Sequence, residues 1–101
     1  MTPRQGEVWW AEAEDRRRPV LVITRDVAVP VLRRIVVAPI TRTVRDIPTE
    51  IPLGPHEGLP VTCTANFDDI QPIRRGFLTH RVGHIEDRRA ICIALSALAD
   101  C

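Results

Sequence analysis

The sequence predicts a mainly β protein: a small, strongly bent sheet or partly open barrel, finished by one C-terminal α-helix. Three observations carry this. Between Glu7 and Ile85 the chain is divided into five or six short apolar, β-branched runs, separated by Pro, Gly, Asp and Asn. From Glu86 the period changes, and Ile91, Leu95 and Leu98 recur at spacings of four and three, the stripe of an amphipathic helix. The length, 101 residues, is that of one domain spanning 1–101, whose core leaves modest stability to spare and makes partnering a natural supplement.

Gly6 marks entry to the first strand, Glu7 to Glu12. Alternation there sends one of Trp9 and Trp10 inward and leaves the other on the surface or in a groove, as a candidate platform for stacking a base. A tight charged connection, Glu12 to Arg17, leads by a hairpin into the second strand, Pro19 to Arg25. Arg16, Arg17 and Arg18 stand at the mouth of this apolar run. Pro19 restricts Arg18 to an extended conformation, so its guanidinium leaves a rigid element in a set direction and is the first candidate for a working residue.

Pro30 breaks the next loop, and Arg33 to Ile40 forms a third, buried strand. Pro39 cannot donate to a ladder, so this end is expected at an edge or a bulge, which frees Thr41 and Arg42 to point elsewhere. Thr43 to Asp46 is an exposed turn. Ile47 to Leu53, with Pro48 and Pro52 inside it, is compatible only with an edge strand or an irregular arm. Gly54 to Pro60 is a loop and Val61 to Ala65 a fifth short strand. Asn66 to Ile73 opens on turn-forming residues and continues as a broken extended segment. Arg74 to Gly76 turns the chain, and Leu78 to Ile85 supplies the last strand, centred on Val82 to Ile85, with Gly83 allowing a bend. Glu86 and Asp87 suit the start of the terminal helix, one face of which caps the sheet, while Ile93 and Ala97 leave apolar surface on another. Strands two and three are sequential and expected to be neighbours, so the approach to Arg18 and the end at Thr41 are placed to share a cleft.

Composition is that of an ordinary globular domain, with no apolar run of bilayer length and no signal-peptide order at the N-terminus; the expectation is a cytoplasmic protein with no membrane partner. Cys63, Cys92 and Cys101 are widely spaced without a CxxC pair, which indicates neither a disulfide framework nor a zinc site; they are read as reduced thiols, with Cys92 packed in the core. The net charge of +1 conceals an asymmetry, for residues 1–45 carry nine Arg against five acids and the remainder five Arg against eight acids. The first part can therefore meet a polyanion. All 14 basic residues are Arg, suited to bidentate phosphate contacts and base stacking, although a G- and C-rich genome gives the same bias.

Three motifs, Arg4-Gln5-Gly6-Glu7-Val8-Trp9-Trp10, Arg18-Pro19-Val20-Leu21-Val22-Ile23 and Ile35-Val36-Val37-Ala38-Pro39-Ile40-Thr41, occur in this order across a charged and then a variable loop. In them the chain resembles the MazF/PemK family of toxin endoribonucleases, over nearly its whole length. The resemblance implies an SH3-like small β-barrel of the PemK/CcdB toxin type and a homodimer. It also implies metal-independent cleavage of single-stranded RNA at a short sequence, without a cofactor, and a cognate MazE-like antitoxin whose flexible tail covers the substrate groove. The family's arginine before proline falls on Arg18 and its threonine closing the third strand on Thr41.

The chemistry is consistent with those positions. RNA carries its own nucleophile, the 2′-hydroxyl, so cleavage needs only alignment, a base, charge neutralisation at the phosphorane and a proton for the leaving 5′-oxygen, giving 2′,3′-cyclic phosphate and 5′-hydroxyl ends. Arg18 stays charged and can grip two phosphate oxygens as charge develops. Thr41 is a candidate neutral donor to a non-bridging oxygen, or else a hydroxyl satisfying local backbone at a strand end. Glu12, Glu14 and Asp15 are the candidate general bases, each of which can instead pair with Arg16 or Arg17. Arg16, Arg17, Arg42, Asn66 and Asp69 are candidate RNA contacts, and His56, His80 and His84 are read as structural or surface residues unless the fold brings His56 over the groove. Two competing readings are a CcdB-like toxin that inhibits gyrase by binding, without catalysis, and an RNA-binding module lacking catalysis.

Overall fold

A computed structural model describes residues 2–13 and 15–99. Seven strands, β1 (Glu7–Ala13), β2 (Arg16–Val22), β3 (Arg34–Thr41), β4 (Glu50–Leu53), β5 (Cys63–Asn66), β6 (Gln71–Arg74) and β7 (Leu78–His84), precede one helix, α1 (Arg89–Leu98). Short 3-10 turns lie at Pro55–Glu57, Phe67–Asp69 and Arg75–Phe77. The strands form one curled, half-barrel sheet in the order β4-β5-β3-β2-β1-β7, with β6 paired to β3 off this path. Every pairing is antiparallel. No helix among the described residues is long and apolar enough to cross a bilayer.

The central strands are buried on both faces, which explains why their sequences are nearly continuous apolar runs. One face of β1 to β3 contributes Val8, Leu21, Ala38 and Ile40 to a cluster with Phe67, Leu53 and the helix residues Ile91 and Ala94. The other contributes Trp9, Ala11, Val20, Val22, Ile35 and Val37 to a second cluster with Val29 and Leu78. Alternation thus sends Trp9 fully inward, its Nε1 donating to Glu7 Oε1 at 3.0 Å. Trp10 takes the opposite face, half-buried, with the Arg17 guanidinium carbon 4.2 Å above its ring.

Several expectations are corrected. Arg16 to Arg18 belong to β2 and not to a connection, because the β1/β2 ladder runs out to Ala13↔Arg16 and is held by backbone pairing that charged side chains do not interrupt. Pro39 is buried and central, not at an edge or a bulge: it faces Val20 on β2 and falls on the other side between the last β6 pair, Val37↔Gln71, and the first β5 pair, Ile40↔Ala65. The missing N–H is tolerated at this change of partner. The last strand runs from Leu78 to His84, within one residue of the Leu78 to Ile85 expected. The helix starts at Arg89, where the Asp87 carboxylate accepts from the Arg89 amide at 3.0 Å.

Cys92 is exposed rather than in the core, being one residue and about 100° around the helix from buried Ile91. The buried thiol is Cys63, and its burial raises its pKa. Cys101 lies outside the described residues. The Pro-containing arm does become an edge strand, β4, whose one partner among the described residues is β5. Ile93 and Ala97 are exposed as expected.

Candidate active site

The β2/β3 ladder pairs Val20↔Pro39, Leu21↔Ala38 and Val22↔Val37 and ends there; the same register carried two residues on puts Arg18 on the side of Thr41. The surface agrees. Arg18 and Thr41 line one hollow of about 410 Å³ together with Pro39, Ile40, Arg42, Thr43, Arg45, Asn66 and Asp69. Arg18 is exposed and Thr41 half-buried, so a guanidinium and a hydroxyl from neighbouring rigid strands converge on solvent-accessible space.

Thr41 Oγ1 accepts from the Thr43 amide at 3.2 Å. The local backbone role foreseen for this hydroxyl is therefore present, but it uses the oxygen as acceptor and leaves the O–H to donate elsewhere. Asn66 is 4% exposed; its Oδ1 accepts from the Asp68 amide at 3.0 Å, and its Nδ2 donates to Asp69 Oδ2 at 3.2 Å. It caps the 3-10 turn that presents Asp69, and so positions this carboxylate at the hollow.

The three proposed bases separate. Glu12 lies opposite Arg17 in the ladder, whereas Arg18 lies opposite Ala11, so Glu12 and Arg18 leave on opposite faces of the hairpin. Its carboxylate accepts from Thr79 Oγ1 and lies 3.6 Å from Arg17 Nε. Asp15 does approach Arg18: both line an adjoining hollow of about 510 Å³ with Arg16, Gln71, Ile73 and Phe77. Glu14 lies outside the described residues. Arg17, engaged by Trp10 and Glu12, stands apart from the Arg18 hollows, while Arg42 lines both the Thr41 hollow and an apolar one of about 140 Å³ beside Trp10 and Leu59. None of the three histidines lines these hollows; His56 sits exposed in a 3-10 turn, and His80 and His84 on β7.

Sequence reasoning missed Arg45, and it assigned Asp69 only to RNA contact. Arg45 lies 3.9 Å from Glu50 Oε2 and reaches the Thr41 hollow because the chain doubles back after β3. The signal for Asp69 was its neighbourhood, Asn66-Phe67-Asp68-Asp69, a polar turn immediately after a strand that pairs with Thr41.

Comparison with known proteins places the chain in a family. Residues 4–98 match the family model described as "PemK-like, MazF-like toxin of type II toxin-antitoxin system". The chain is 44% identical over 103 residues to "Probable endoribonuclease MazF5" of Mycobacterium tuberculosis (strain ATCC 25618 / H37Rv), covering 98% of this chain and 94% of the relative. Among solved structures, "Mycobacterium tuberculosis toxin MazF-mt6" superposes with a TM-score of 0.84 at 33% identity, covering 93% of this chain and 96% of that one. A mycobacterial "Endoribonuclease in complex with its cognate antitoxin" superposes at 0.80 with 23% identity, covering 95% and 93%, a likeness of fold alone.

Proposed function

This chain belongs to the PemK-like, MazF-like toxins of type II toxin–antitoxin systems, and on that footing we propose that it is an endoribonuclease that cuts single-stranded RNA by 2′-hydroxyl attack. The observation that carries the reading is the single hollow lined by both Arg18 and Thr41. A scissile phosphate seated there meets the Arg18 fork, which stays protonated and neutralises the charge that accumulates on two phosphorane oxygens. Thr41, its oxygen oriented by the Thr43 amide, donates its proton to a non-bridging oxygen. Arg42 and Arg45 add positive charge at the rim.

Asp69 is the carboxylate assigned to take the 2′-hydroxyl proton, because it shares the hollow with both groups and is oriented by Asn66. Asp15 is the competing base, from the far side of Arg18. Glu12 has no access to this face. The apolar hollow beside Trp10 adjoins Thr41 and is assigned to a flanking base. Attack by the 2′-oxygen forms the new P–O bond as the P–O5′ bond breaks, the 5′-oxygen leaving against the charged Arg18 fork and taking its proton from solvent, to which Asp69 returns the one it accepted. No metal is required by this balance, and the ends are 2′,3′-cyclic phosphate and 5′-hydroxyl.

The same reading makes residues 1–101 one toxin domain acting in the cytoplasm, where RNA is available, as a homodimer opposed by a MazE-like antitoxin. The relatives named as endoribonucleases favour catalysis over CcdB-like inhibition of gyrase. The decisive test is cleavage of a long single-stranded RNA in EDTA with mapped ends. Arg18→Ala should lower kcat by about 10²–10³-fold and Thr41→Val by roughly tenfold. Asp69→Asn should lower kcat by about 10²–10⁴-fold, whereas Asp15→Asn should leave it near the parent value. Full activity of Arg18→Ala would remove the reading's foundation.

A further inference from the structure

Beyond the reaction centre the surface carries a second basic hollow. The hollow containing Arg18 and Asp15 reaches Phe77, and Phe77 also lines a third hollow of about 580 Å³ whose other walls are Arg33, Arg34, Arg74, Arg75 and Gly76. Four guanidinium groups surround this basin without an acidic wall residue, and none of the four forms an ion pair among the described residues. Arg34 and Arg74 are direct cross-strand partners in the β3/β6 ladder, an arrangement of like charges that destabilises a sheet. Arg75 is anchored by donation from its Nη1 to the Val29 carbonyl at 2.6 Å, so the basin has a rigid wall. Such a cluster is stabilised by an anion placed between the forks.

Three hollows therefore follow one another across the sheet, joined at Arg18 and at Phe77. Thr41 and Arg34 mark the two ends of β3, seven residues and about 23 Å apart, and leave opposite faces of the strand, so the track passes from one to the other at Phe77, which lines both hollows. Among the lining residues, eight arginines (16, 18, 33, 34, 42, 45, 74 and 75) face two acids, Asp15 and Asp69. Phe77 is half-buried midway.

We propose that the basin formed by Arg33, Arg34, Arg74 and Arg75 is a second substrate subsite, which binds the phosphate backbone of single-stranded RNA several nucleotides from the scissile bond. Phe77 stacks a base between the basin and Arg18. This rests on the reading of the protein as an RNA-cleaving enzyme. An acidic peptide would match the charge, but the aromatic step and the unbroken connection to the Arg18 hollow favour a nucleic acid. The consequence is a preference for long substrates: a short RNA fills only the Arg18–Thr41 hollow, whereas a longer strand engages both.

The test compares kcat/KM and binding for a minimal oligonucleotide and one of about 20 nucleotides with the same cleavage site, across a range of salt concentrations. In Arg34→Gln/Arg74→Gln the preference for the longer RNA should fall by about tenfold, and the slope of log affinity against log salt should shrink by roughly 0.7 for each phosphate no longer neutralised. Arg33→Gln, at an exposed position outside the ladder, should show a smaller change in the same direction without risk to the sheet. Unaltered length preference and salt slope in both variants, with the parent cleaving RNA, would overturn the subsite alone. Failure of the parent to bind or cut RNA of either length would overturn the enzymatic reading as well. Loss of binding to a polyglutamate peptide with RNA binding intact would reassign the basin to an acidic protein partner.

Discussion

Glu7 receives donors from three parts of the chain: the Arg4 amide at 2.7 Å and Trp9 Nε1 at 3.0 Å on one oxygen, and Arg81 Nε at 2.6 Å on the other. Burial pushes its pKa up, but the bonds from Arg81, Trp9 and the Arg4 amide together outweigh it, and the net shift is downward. A depressed carboxylate contributes stability that is present above its unfolded value and lost as pH falls through the folded one. Glu7→Gln should cost about 1–2 kcal/mol at neutral pH and flatten the acid limb of the stability curve below about pH 4.5, measured by urea unfolding at stepped pH. An unchanged acid limb would show that the carboxylate does not stitch β1 to β7. The same scale explains what single residues disclosed in advance. Arg18 was legible because Pro19 announces a rigid exit; the failure of Glu12 as a base was not, because it depends on a one-residue difference in register that decides the face.

At the scale of elements, the 3-10 turn Pro55–Glu57 and strand β7 approach so closely that two glycines are required. A Cβ on Gly83 would sit 2.2 Å from the Glu57 carbonyl oxygen, and one on Gly58, whose φ is +88°, would sit 2.5 Å from the Val82 carbonyl oxygen. Each lies against the backbone beside the other. Gly83→Ala should destabilise by at least about 2 kcal/mol, lowering Tm by roughly 8 °C or more, read by calorimetry. A melt within 2 °C or so of the parent would mean that the turn shifts freely. From the sequence Gly83 was readable as a bend, but its true constraint comes from a partner 26 residues earlier, and no local pattern carries that. Strand existence and the helix stripe were legible because periodicity is local; the extension of β2 back to Arg16 was not, because hydrogen bonding across a hairpin overrides the polarity of its side chains.

For the whole molecule, two apolar clusters on opposite faces of one curled sheet explain why the bent-sheet expectation succeeded without any strand order being known. What the sequence could not state was that β3 serves three neighbours, pairing with β6 from Arg34 to Val37, with β2 from Val37 to Pro39 and with β5 at Ile40 and Thr41. No other strand among the described residues has more than two. Loosening β3 means parting from β2, β5 and β6 together, so its interior has no private route to solvent. Deuterium should enter the amides of Val37 and Ala38 only at the pace set by complete unfolding, whereas those of β4 should exchange through cheaper, local fraying. A protease would then find its earliest foothold between Arg42 and Pro48 and leave the strand beside it intact, so that a nicked chain keeps its shape until it is lost all at once.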